Sequence, residues 1–226
     1  AYHIYAHDGA EVFHNATTLV PNYKGQNALI NNATFTNSGI LQLGDGKTRI
    51  HGDEVTGKVG KYINVGQIVV EAFNLKNNDP TDSEVISNTG ITARNKATVI
   101  NEKQGSILLG QKGIGEKQGT VTGIQLSGAS FINHGLIELG KPDVSLLGGM
   151  RDDTYDMRAM SNAIAAKFDN TMATGEINEI TNNGTIIINE GVKNAVAINV
   201  DVMPSRDLTT QLLVSNVGEI HVSGTN

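Results

Sequence analysis

Residues 131–139 read Phe131-Ile132-Asn133-His134-Gly135-Leu136-Ile137-Glu138-Leu139, and the same pattern returns along the chain. An apolar residue stands two before an Asn. A short spacer and a Gly follow, and aliphatic residues sit two and four positions after the Gly. The other copies are Phe35-Thr36-Asn37-Ser38-Gly39-Ile40-Leu41-Gln42-Leu43, Tyr62-Ile63-Asn64-Val65-Gly66-Gln67-Ile68-Val69-Val70, Ile180-Thr181-Asn182-Asn183-Gly184-Thr185-Ile186-Ile187-Ile188 and Val214-Ser215-Asn216-Val217-Gly218-Glu219-Ile220-His221-Val222. A further copy, Val99-Ile100-Asn101 with Gly105-Ser106-Ile107-Leu108-Leu109, has a longer spacer. Positions between the aliphatic residues are mixed: Gln42, Val69, Leu108, Glu138, Ile187 and His221. Alternation of this kind is the signature of a strand with one buried face.

The Asn-x-Gly joint between two such strands reads as a tight corner. Asn tolerates left-handed backbone angles and its amide bonds nearby backbone, while Gly bends without a Cβ clash. A third strand class precedes each joint, as in Ala28-Leu29-Ile30, Thr89-Gly90-Ile91-Thr92-Ala93, Thr122-Gly123-Ile124-Gln125-Leu126 and Asn194-Ala195-Val196-Ala197-Ile198. Three short strands per repeat predict a single-stranded parallel β-helix, taken as right-handed, of about six coils and roughly 30 Å long. Equivalent Asn side chains would then stack as a hydrogen-bonded ladder. The interval between successive Asn varies from 27 residues (37 to 64) to 49 (133 to 182). That variation predicts loop excursions of different length on a constant frame, with residues 1–226 as one solenoid domain.

Composition agrees. Aromatic residues make up only 4% and Trp is absent, while Gly numbers 26; stacked aliphatic rows need no large aromatic anchors. A net charge of -6 argues against nucleic acid, whose phosphates attract a basic face. The absence of Cys excludes disulfides, thiol catalysis and Cys-based zinc sites. No apolar run is long enough for a transmembrane helix. The start, Ala1-Tyr2-His3-Ile4-Tyr5, lacks the basic and apolar regions of a signal peptide, which predicts a mature chain or a piece of a longer one.

Candidate sites are few. Residues 141–175 form the longest interruption and are expected to be a loop or small subdomain. They carry Arg151, Asp152, Asp153, Tyr155, Asp156 and Arg158, a mixed-charge set able to bind a ligand or cation, although solvated loops often look the same. Ala159–Phe168 within it reads as a short helix or another strand. Asn77–Ser83 is turn chemistry with no site assigned. His3, Tyr5 and His7 share one face of an N-terminal strand, near Asp8 and His14. Without a third well-placed ligand they are read as exposed strand residues or an end cap, and no metal or cofactor is expected. The Asn-x-Thr triplets at Asn15, Asn32 and Asn183 carry little weight in an Asn- and Thr-rich chain. Polysaccharide lyases and hydrolases also use parallel β-helices, but their chemistry needs carboxylates converging on one face.

The units Thr181-Asn182-Asn183-Gly184-Thr185-Ile186-Ile187-Ile188-Asn189 and Asn194-Ala195-Val196-Ala197-Ile198-Asn199 resemble passenger repeats of type V autotransporters, especially large surface adhesins. The resemblance spans roughly residues 28–222. It implies a non-enzymatic module of a bacterial surface or secreted adhesin, displayed outside the outer membrane and associated with virulence. It also implies attachment to a protein or glycan of host or neighbouring bacterial cells. A C-terminal translocator barrel would belong to the parent chain, with no membrane insertion by this part. A glycan-active β-helix enzyme and a purely structural stalk are the alternatives.

Overall fold

A computed structural model describes residues 2–20, 26–45, 50–72, 87–111, 120–142, 160–168, 172, 176–192, 195–202 and 212–223. The described residues contain strands and no helix. Each turn of the chain lays down three strands. The first is β1 (Tyr2–His7), β2 (Glu11–His14) and β3 (Thr17–Val20); the second is β4 (Gln26–Asn31), β5 (Thr34–Asn37) and β6 (Ile40–Leu43). Next come β7 (Asp53–Thr56), β8 (Lys61–Asn64) and β9 (Gln67–Val70), then β10 (Ser87–Arg94), β11 (Thr98–Asn101) and β12 (Ser106–Leu109). The fifth turn is β13 (Thr120–Ser127), β14 (Ser130–Asn133) and β15 (Leu136–Leu139). The sixth is β16 (Ser161–Phe168), β17 (Asn178–Asn182) and β18 (Thr185–Ile188), and the seventh is β19 (Ala195–Val202), β20 (Leu212–Asn216) and β21 (Glu219–Val222).

Every third strand pairs in parallel, giving three sheets of seven strands: sheet A from β1 to β19, sheet B from β2 to β20 and sheet C from β3 to β21. This is a parallel β-helix, as the repeat predicts. It has one more rung than the six motif copies. The extra rung is the first, where His14 pairs with Asn37 and Thr17 with Ile40, so His14 and Ala16 occupy the Asn and Gly positions.

The corner Gly has a physical reason. A Cβ built on Gly39 would lie 2.1 Å from the carbonyl oxygen of Ala16, and one on Gly184 would lie 2.2 Å from that of Gly135. The corner Gly is therefore required by the rung beneath it.

Register stacks like on like. Phe35, Tyr62, Val99, Phe131 and Ile180 form one inner row of sheet B. Leu43, Val70, Leu109, Leu139 and Ile188 form one of sheet C. All are buried. Burying each such side chain contributes about 1.5–3 kcal/mol, and the rows join into a continuous apolar interior along the axis.

Candidate functional site

The sheet B to sheet C corner holds an amide ladder. The Nδ2 of Asn37 donates to Oδ1 of Asn64 at 2.8 Å, Asn64 to Asn101 at 2.8 Å, and Asn101 to Asn133 at 2.8 Å. Asn133 donates to Asn182 and Asn182 to Asn216, each at 2.7 Å. The chain of donors starts at His14, whose Nδ1 lies 2.7 Å from Oδ1 of Asn37 and whose Nε2 lies 2.8 Å from the Thr18 hydroxyl. Further bonds run to backbone carbonyls, such as Asn37 to Gln67 at 3.1 Å and Asn101 to Leu136 at 3.2 Å. The corner residues Asn37, Gly39, Asn64, Gly66, Asn101, Gly105, Asn133, Gly135, Asn182, Gly184, Asn216 and Gly218 thus fall where the repeat places them. From Asn37 to Asn182 the Asn side chains are fully buried. Their role is to hold the frame, and they offer a ligand nothing.

Length variation is concentrated at the opposite corner, between sheets C and A. The connections there are 21–25, 44–52, 71–86, 110–119, 140–160 and 189–194. Arg151, Asp152, Asp153, Tyr155, Asp156 and Arg158 belong to the connection between β15 and β16, outside the described residues; Asn77–Ser83, between β9 and β10, also lies outside them. Within residues 141–175, the strand alternative read for Ala159–Phe168 is the one found, as β16. Ser161–Phe168 is a sheet A strand, with Ile164 opposite Ile124 and Ala166 opposite Leu126. Its small alanines hide the alternation that a strand normally displays. The remainder, between β16 and β17, lies at the sheet A to sheet B corner.

Comparison with protein-family models, curated proteins and solved structures returns no match.

The N-terminal histidines do not converge. His7 Nδ1 lies 3.2 Å from the Asp8 carboxylate, and His3 Nδ1 lies 3.1 Å from Oδ1 of Asn27. His14 belongs to the amide ladder. Gln42, Val69, Leu108, Glu138, Ile187 and His221 stack in one outer row of sheet C, with a single carboxylate among the six.

One feature of the interior escaped the sequence reading. Asp53 and Tyr62 are both fully buried, and the Tyr62 hydroxyl donates to Asp53 Oδ2 at 2.7 Å. Asn27 Nδ2, from the rung below, donates to Asp53 Oδ1 at 2.8 Å. Burial raises the Asp53 carboxyl above its ordinary value, against the lowering effect of the Tyr62, Asn27 and Ala28 donors and of His14. Burial, then the neighbouring Asp53, pushes the Tyr62 phenol well above its usual range. Asp53 takes an inward position held by Ala28 below and Ile91 above. The only sequence signal was an acid where that row is otherwise apolar.

On the outer face of sheet A, Gln26 donates to the Glu54 carboxylate. Arg94 Nε lies 3.8 Å from the other Glu54 oxygen. On the first rung, Tyr5 stacks against His7 with ring centroids 5.3 Å apart.

Proposed function

We propose that this chain is a module of a bacterial surface adhesin of the autotransporter passenger type, a non-catalytic rod that presents binding groups to a host or neighbouring bacterial cell. The observation that supports it best is the division of labour between corners. One corner is nearly constant from rung to rung and locked by buried amides, while the opposite one carries connections of very different length. A solenoid whose rungs contact only their neighbours accepts such loops without losing its frame, and variable loops on a rigid frame are where binding concentrates. The 140–160 connection, with Arg151, Asp152, Asp153, Tyr155, Asp156 and Arg158, is the principal loop candidate. The sequence resemblance supplies the bacterial surface setting.

The test is adherence. Beads coated with the purified chain are counted on cultured epithelial cells and on bacterial lawns, against beads coated with an unrelated β-helix. Retention above the control is expected. Retention equal to the control on both surfaces would favour the structural-stalk reading instead.

A further inference from the structure

The three outer faces of the rod differ in chemistry. In register, sheet B presents Phe13, Thr36, Ile63, Ile100, Ile132 and Thr181, and sheet C the mixed row described above. Sheet A presents Tyr5, Leu29, Glu54 and Gln125 in one row, with Thr92 buried between the last two, and His7, Asn31, Thr56 and Arg94 in the next, which ends on the buried Ser127. Within that face, Gln26, Glu54 and Arg94 link three successive rungs. The Glu54 and Arg94 side chains are only 19% and 29% exposed, so they are held in place while still reaching the surface. Tyr5 is 57% exposed and backed by His7.

From this placement we infer that the outer face of sheet A, from Tyr5 to Arg94, binds a neutral oligosaccharide laid along the rod axis. The inference rests on the adhesive reading and names its ligand class. A sugar presents adjacent hydroxyls that both donate and accept. Glu54 accepts, Arg94 and the Gln26 amide donate, and their mutual contacts reduce the ordering cost of binding. The apolar face of a pyranose ring packs on an exposed aromatic ring, the part Tyr5 plays. Charge selects the class: Glu54 is offset by Arg94, and the chain's net charge of -6 repels polyanions. An extended peptide fits less well. Strand addition needs a free sheet edge, whereas the backbone of this face is already paired along the stack.

The experiment probes the purified chain on a printed panel of neutral oligosaccharides built from glucose, galactose, mannose and N-acetylglucosamine. Sulfated and uronate glycans are printed beside them. The best binder is then titrated by the change in tyrosine fluorescence. Binding to a neutral glycan is expected, with affinity falling at least about tenfold in Tyr5→Ala and in Glu54→Gln. Phe13→Ala, on the sheet B face of the same rung, should leave affinity unchanged. Circular dichroism confirms that each variant folds, and Glu54→Gln keeps the side-chain shape should Glu54→Ala fail to fold. Binding confined to sulfated or uronate glycans, no binding to any glycan, or binding indifferent to Tyr5 and Glu54 would each overturn the inference. Bead adherence separates the two readings: beads that still hold cells after Tyr5→Ala leave the adhesive role standing and remove the sheet A face from it.

Discussion

The Tyr62 hydroxyl donates a hydrogen bond to Asp53 across 2.7 Å in an interior that is otherwise apolar along their two rows. The phenol is pushed well above its usual range, so it remains a neutral donor at any ordinary pH. Replacing Tyr62 with Phe keeps the ring and deletes that donor, leaving a buried carboxyl with Asn27 and the Ala28 backbone. A buried polar group that loses a partner costs about 1–3 kcal/mol. Tyr62→Phe should lower unfolding stability by that order in a urea titration. No change would mean that the bond contributes nothing net.

Acid should act on this pair in an unusual direction. Burial raises the Asp53 carboxyl, so the folded chain binds its proton more tightly than the unfolded chain does. The Asp53 contribution is therefore fully present below the unfolded value of 3.8 and is lost as pH rises through the higher folded value. The thermal midpoint of wild type minus that of Asp53→Asn, followed from pH 7 down to pH 4, should shift in favour of wild type. A difference that moves the other way would show that the three donors outweigh burial and hold the group ionised.

The amide ladder should be least tolerant at its middle. Asn101 accepts from Asn64 and donates to Asn133, both at 2.8 Å, with no solvent exposure. Asn101→Ala strips a partner from each neighbour, and Asn101→Asp keeps the acceptor but loses the donor. Either should cost at least about 2 kcal/mol. Asn216 is exposed and accepts from Asn182 alone among the bonds described above, so Asn216→Ala should cost less. Equal losses at the two positions in chemical denaturation would contradict a ladder whose strength comes from burial.

Much of this architecture was written in the repeat, because each signal was local. Period-two aliphatic rows and a corner Asn and Gly repeat wherever one rung lies on another. The reading failed where the rung's neighbours change what a position requires. At the first described rung His14 and Ala16 stand in the Asn and Gly positions, and His14 still donates upward to Asn37. Asp53 depends on Asn27 and Tyr62, brought together by folding and invisible to a motif search. The sheet A strip is likewise a property of register: Gln26, Glu54 and Arg94 lie far apart in sequence and on successive rungs in space.

The corner rule gives a paired test. A Cβ on Gly184 would meet the backbone oxygen of Gly135 at 2.2 Å, an atom that cannot move without displacing the rung that carries it. Gly184→Ala should cost about 3 kcal/mol, the upper range for overpacking a filled interior. Ala16→Gly, at the equivalent position of the first rung, should change stability by less than about 1 kcal/mol, the flexibility penalty of glycine. Comparable losses from the two substitutions, measured by guanidinium unfolding, would remove the stacking explanation for the corner Gly.

The loop-bearing edge permits a separation of frame from binding. The chain crosses from β3 to β4 through residues 21–25 alone, whereas the equivalent crossing from β15 to β16 takes 140–160. A short connection therefore suffices geometrically, and loop length itself carries a small penalty, about 0.6 kcal/mol per doubling. Replacing 143–157 with a short Gly-Ser linker removes Arg151, Asp152, Asp153, Tyr155 and Asp156 while keeping β15 and β16. The thermal midpoint should stay within a few degrees of wild type, and bead adherence should fall if that loop carries the contact. Inserting the same linker between His134 and Gly135 should unfold the stack, because Leu136 must bond to the Gly105 carbonyl and Asn133 must meet Asn182 two positions from the break. A stack that tolerates the insertion yet collapses on loop removal would reverse the roles of the two corners.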